Sequence, residues 1–162
     1  KLKEILKGKL GEGPYMGLFS FISLTGILLI VFGYESNSNF IYSINRTALV
    51  YSKYIMFLSL TFIVASTLPT YIKKIIRHPM SLGIAIWSCF HLLTNPDVSS
   101  IILFSSFLIY SILSLIIAEL RNSGIKESSP KIILDVLTIL LGVILTFFSY
   151  NFHWYLSGVN LS

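Results

Sequence analysis

The run YMGLFSFISLTGILLIVFGY, Tyr15 to Tyr34, holds twenty residues without a charge. A helix over it is about 30 Å long, the thickness of the hydrocarbon core of a bilayer. Tyrosines close both ends, where aromatic belts meet the headgroups. Four further apolar segments follow. Tyr54–Leu68 begins beside Lys53, whose stem can stay buried while its ammonium reaches the interface. Pro79–Leu93 opens on a proline, favourable at a first helical position because the N–H it lacks would find no partner there. Val98–Ala118 is free of charge, and Ile132–Tyr150 carries Asp135 near its start. Glu35–Arg46 and Arg121–Lys131 are polar and read as loops, and Asn95-Pro96-Asp97 reads as a tight turn. The expectation is an all-α, polytopic membrane helix bundle with five transmembrane helices, in a single domain over residues 1–162, with membrane lipid as its first partner.

Composition supports this class. Of 162 residues, 54% are hydrophobic and only 12% charged, with a mean hydropathy of +0.80. Soluble domains carry roughly 25% charged residues. The net charge of +5 is not a nucleic-acid footprint, because the cations sit at the ends of apolar segments. Lys1, Lys3, Lys7 and Lys9 precede the first segment, Lys73, Lys74 and Arg77 lie between the second and third, and Arg121, Lys126 and Lys131 lie between the fourth and fifth. These ten fall on one side of the membrane, against Arg46 and Lys53 on the other. The positive-inside rule then makes the first side cytoplasmic. Asn95, Asp97 and the C-terminal tail face away from it.

Soluble-enzyme motifs do not appear. Gly11-Glu12-Gly13 lacks the rest of a phosphate-binding pattern, and one cysteine with three scattered histidines builds no local zinc motif. Cys89, alone, excludes an intrachain disulfide and reads as a small buried hydrophobe. Ser105, Ser106, Ser111 and Ser114 read as positions of close helix packing. Asp135 and Glu119 stand at the cytoplasmic side. A carboxylate at that depth without a partner costs a few kcal/mol or takes up a proton, so a cation or a helix N-terminus is expected near at least one, with Arg77 the favoured partner.

Ionisable side chains at membrane depth make functional candidates. His78 and His91 are thirteen positions apart, roughly 20 Å along a regular helix and on different faces, so one metal cannot bind both. Trp87 precedes His91 by four residues and shares its face. His153 follows the fifth segment and falls at the depth of His91. If two histidines here share an iron, His91 and His153 are the pair, with a residue upstream of Lys1 as the other possible partner of His91. Each also has a plainer role. His78 is an interfacial histidine beside Arg77, His91 a helix-end histidine bonded to a neighbouring helix, and His153 a member of an aromatic belt with Trp154 and Tyr155.

Arg77-His78-Pro79-Met80, Gly83, then Trp87, His91-Leu92-Leu93, Asn95 and Asp97 resemble the core of the NnrU family of multipass membrane proteins, which includes the plant and cyanobacterial zeta-carotene isomerases. Leu10-Gly11-Glu12-Gly13, Gly17-Leu18-Phe19-Ser20 and Gly33-Tyr34 are similar to the family's opening landmarks. Glu119-Leu120-Arg121 and His153-Trp154-Tyr155-Leu156-Ser157-Gly158-Val159 are similar to its later ones. Family members usually begin with one more helix carrying a histidine–serine pair, so the chain, opening on Lys1, is expected to be N-terminally truncated, with six helices in the full-length protein.

The resemblance implies haem b, with His91 as the iron ligand and metal-binding residue, and Arg77, His78, Asn95 and Asp97 as motif positions without an assigned role. His153, by depth, and Trp87, by its shared face, are the further cofactor-binding candidates, with packing as the plainer role of Trp87. The resemblance also implies cis–trans isomerisation of an apolar polyene. The other branch of the family implies a non-enzymatic accessory or regulatory factor in nitrite and nitric oxide metabolism (denitrification). A bacterial inner membrane is the expected location. Arg77-His78-Pro79 with Gly83 also resembles the opening of the cofactor-binding part of membrane isoprenylcysteine methyltransferases. Ser81 stands where those enzymes have tyrosine, and their adjacent glutamate pair is reduced to Glu119.

Overall fold

A computed structural model describes residues 2–33, 40–121, 129–153 and 155. Contacts divide the chain into two compact units, Lys1–Ser36 and Asn37–Ser162.

The first unit holds α1 (Leu2–Leu10) and α2 (Glu12–Gly33). Gly11, between them, has φ +82°, a left-handed conformation that costs glycine little. Lys7 bridges the junction by pairing with Glu12 and lying over the Tyr15 ring. The span Glu12–Ile30 is apolar and none of it is buried. A helix that is hydrophobic all round is stable only when surrounded by apolar matter.

The second unit holds α3 (Arg46–Val50), α4 (Ser52–Ala65), α5 (Tyr71–Ile76), α6 (Pro79–Thr94), α7 (Val98–Leu120) and α8 (Ile132–Asn151). α4 packs on α6 and on α8, and α6 packs on α7. The two shorter helices therefore form the centre, flanked by the two longer ones. Across both units, α2, α7 and α8 hold spans long and apolar enough to cross a membrane. α4 and α6, at 14 and 16 residues, reach only about 21 and 24 Å.

Some boundaries differ from expectation, for local reasons. The second apolar segment stops being helical at Ala65, not Leu68. Ser66 Oγ donates to Ile63 O at 2.6 Å and Thr67 Oγ1 to Val64 O at 2.8 Å, so side chains take the carbonyls that another helical turn would use. Arg46 is the first residue of α3, which Asn45 caps by accepting from Ala48 N at 3.0 Å. The basic connection before the third segment is also a helix, α5, capped by Thr70 Oγ1 accepting from Lys73 N. The stretch 35–39 of the first loop and 122–128 of the later one lie outside the described residues.

Burial is inverted relative to a water-soluble protein. Among the described residues, the buried hydrophobic ones are Ala65, Phe90 and Phe104, while Ser59, Thr61, Ser88, Ser100, Ser111 and Thr138 are buried with them. Phe, Ile and Leu side chains cover the outside of α7 and α8. In lipid, apolar burial no longer drives helices together. Small residues that let backbones approach do so instead. Ser59 Oγ donates to Gly83 O at 2.9 Å across the α4–α6 contact, and Ser81 Oγ donates to Ser114 Oγ at 3.2 Å across α6–α7. Of the four serines expected to support packing, Ser111 is buried and Ser114 is bonded across helices, whereas Ser106 is exposed and bonds its own helix.

Candidate functional site

His91 lies in the last turn of α6, four residues after Trp87. Its Nδ1 stands 2.8 Å from Trp87 O. A carbonyl only accepts, so this bond needs the proton on Nδ1, and the neutral ring then keeps its lone pair on Nε2. Three aromatic rings surround the imidazole: Phe104 of α7 at 4.5 Å, Trp87 at 4.8 Å and Phe90 at 5.8 Å between centroids. Trp87 in turn meets Phe104 and Phe107 edge-on, at 5.0 and 5.5 Å. His153, half-buried, lies two residues past the end of α8. The structure thus brings together His91 and Trp87, and adds Phe104 and Phe107. The α7 rings were missed because, in a run as apolar as Val98–Leu120, two phenylalanines three positions apart look like any lipid-facing pair.

The C-terminal end of α6 is tied down from outside the helix. Asn95 is its C-cap, and Asp97 is the N-cap of α7, its Oδ1 accepting from Ser100 N at 2.9 Å. Asp97 is buried, and its backbone bridges to Phe40. Ile41 N donates to Pro96 O at 2.9 Å, and Asn45 N to Leu93 O at 3.1 Å. The Tyr42 hydroxyl is directed at Leu92 O and Asn95 O, the latter at 3.1 Å. Burial pushes the Tyr42 phenol above its ordinary value, and the Asp97 carboxylate adds to this, so the hydroxyl stays a donor. Asn95 and Asp97 therefore hold the corner beside His91 rather than face it as ligands. Tyr42 was not singled out, because its partners are backbone carbonyls about fifty positions away.

Arg77 and His78 mark the opposite end of α6. Arg77 is the C-cap of α5 with φ +58°, and His78 is the N-cap of α6, with Pro79 at its first position. Arg77 Nη1 donates to Glu119 Oε2 at 3.0 Å, and His78 Nε2 is 3.7 Å from Glu119 Oε1. Asp135 accepts from both Tyr71 N and Ile72 N at 3.0 Å, on the first turn of α5. Each of these two carboxylates thus has its partner: Arg77 for Glu119, a helix N-terminus for Asp135. The regular helix between them separates His78 from His91 by roughly 20 Å.

Among the described residues, no group of three or more His, Cys, Asp or Glu side chains could hold a metal ion. Haem makes a different demand, since the porphyrin supplies four nitrogens and the protein only axial ligands. His91 fits that demand. Metal-ligating histidines characteristically donate their other ring N–H to a carbonyl or carboxylate, which sets tautomer and ring orientation. The Trp87 carbonyl does this here.

Fold and site together define an all-helical protein with apolar helices of membrane-crossing length and an aromatic-lined histidine at one end of a short central helix. The chain belongs to the NnrU family: the profile of the NnrU protein matches residues 1–161. No curated protein and no solved structure matches the chain.

Proposed function

We propose that the chain is a multi-pass integral membrane protein, with α2, α4, α6, α7 and α8 as its five spans, that binds haem b through His91. The observation that carries the reading is the Nδ1 bond to Trp87 O at 2.8 Å, which leaves Nε2 as the metal-ligating atom of the neutral imidazole. His153, which follows α8, is the second candidate ligand. Haem bound at His91 supplies an iron centre able to exchange electron density with a double bond. The chain's own part is to hold the ligand ring in one tautomer, surround it with Trp87, Phe90 and Phe104, and expose an apolar outer surface to lipid-dissolved molecules. The resemblance to the isomerase branch of the family then implies an apolar polyene as substrate class and a cis–trans isomerisation without net redox change as the reaction.

The test is the absorption spectrum of the purified protein. A Soret band is expected in the wild type, lost or shifted in His91→Ala and unchanged in His78→Ala. The reverse pattern overturns the assignment, and a wild type that never carries haem overturns the function.

The ten-to-two split of cations supports an orientation with the Arg121–Lys131 segment in the cytoplasm. In a Cys89→Ala background, Ser128→Cys is expected to resist an impermeant maleimide in intact cells and to react once they are opened. Labelling of intact cells reverses the topology.

A further inference from the structure

The corner between α5 and α6 holds a cavity of about 240 Å³ that the haem reading does not use, with Ser66, Lys73, Arg77, His78, Met80 and Ser81 in its walls. We infer that this corner binds the phosphate of an anionic phospholipid. Three features converge on it. Lys73 Nζ gives one hydrogen bond to Ser66 O, at 2.6 Å, and an ammonium has two more protons to offer. Arg77 gives Nη1 to Glu119 and keeps the rest of its five-donor fork. His78 makes no side-chain cap on α6, so the N–H groups of Met80 and Ser81, which have no intrahelical carbonyl to reach, belong to the same wall.

The charge suits one phosphodiester. Lys73 and Arg77 against the single carboxylate of Glu119 leave one positive charge, and a phosphodiester carries one negative charge. The surroundings favour a lipid over a soluble anion. Met80, in the cavity wall, is 47% exposed, Ile75, two residues before Arg77, is 79% exposed, and Leu120, next to Glu119, is 80% exposed. Exposed apolar side chains next to the cationic residues match acyl chains beside a headgroup. The lipid assignment rests on the membrane reading above.

The experiment is native mass spectrometry of the full chain released from nanodiscs containing phosphatidylglycerol and phosphatidylcholine in equal amounts. Selective retention of phosphatidylglycerol is expected. Lys73→Gln should lower the retained fraction about fivefold, the effect of one cation at an anionic surface. Lys53→Gln, at the other end of α4, should leave it unchanged. Glu119→Gln should raise it, a change of sign that misfolding cannot produce. Equal retention of the two lipids, or retention insensitive to both Lys73→Gln and Glu119→Gln, overturns the site. Displacement of phosphatidylglycerol by millimolar inorganic phosphate overturns its lipid source. A chain that does not enter nanodiscs overturns the membrane reading as well, whereas one that enters without lipid preference overturns only this site.

Discussion

Gly83→Ala is expected to destabilise the second unit by about 3 kcal/mol, the upper part of the range for overpacking. A Cβ at Gly83 meets Ser59 O at 2.7 Å, Ile63 Cγ1 at 2.9 Å and Ile63 N at 3.3 Å. Two of these three atoms are backbone, and a helix backbone cannot rotate aside as a side chain does. The added methyl therefore moves α6 away from α4 and breaks the bond from Ser59 Oγ to Gly83 O. Because α6 also carries Trp87 and His91, the displacement reaches the haem candidate. A fall in the thermal midpoint in detergent measures the effect. Ile63→Ala added to Gly83→Ala should recover little, since the carbonyl of Ser59 remains in place. Full recovery would show that the side chain was the obstacle.

Gly142→Ala is the second large effect, expected at about 2 kcal/mol, with a different response to compensation. Here the added Cβ runs into Thr61 Oγ1, with Thr61 Cβ at 3.2 Å and Cα at 3.3 Å behind it. The nearest obstacle is a side-chain hydroxyl. Thr61 Oγ1 and Thr138 Oγ1 are buried without a hydrogen-bond partner among the described residues, so little is lost when the Thr61 hydroxyl goes. Thr61→Ala combined with Gly142→Ala should therefore regain at least half of the loss, a coupling that a double-mutant cycle reads directly. Strict additivity of the two substitutions would show that α8 does not approach α4 through Gly142.

These two glycines illustrate what a single segment reveals and what it hides. Val98–Ala118 and Ile132–Tyr150 could be read as helices from their lack of charge alone, and they appear as α7 and α8 with ends within two residues. Pro79 announced the start of α6 for a reason confined to its own ring. The pairing of Glu119 with Arg77 was also legible, because few partners exist at that depth for either charge. Trp87 and His91 share a face by spacing alone, so half of the candidate site was visible.

The remaining half depends on which helix faces which. Nothing local distinguishes Gly83 and Gly142, at helix crossings, from Gly17 and Gly26 of α2, where an added Cβ has nothing within 4 Å. Phe104 becomes a wall of the His91 site, and Phe107 a neighbour of Trp87, only because α7 docks on α6. Tyr42 holds the corner through carbonyls that any residue would present. By itself, the sequence determined the class of solvent, the positions of the apolar helices and the NnrU motif, because hydropathy, charge and proline geometry act on one segment at a time. The tertiary structure alone decided the α8–α4–α6–α7 order, the glycine contacts and the aromatic surround of His91, because these follow from matching the shapes of two helices that are equally apolar on every face.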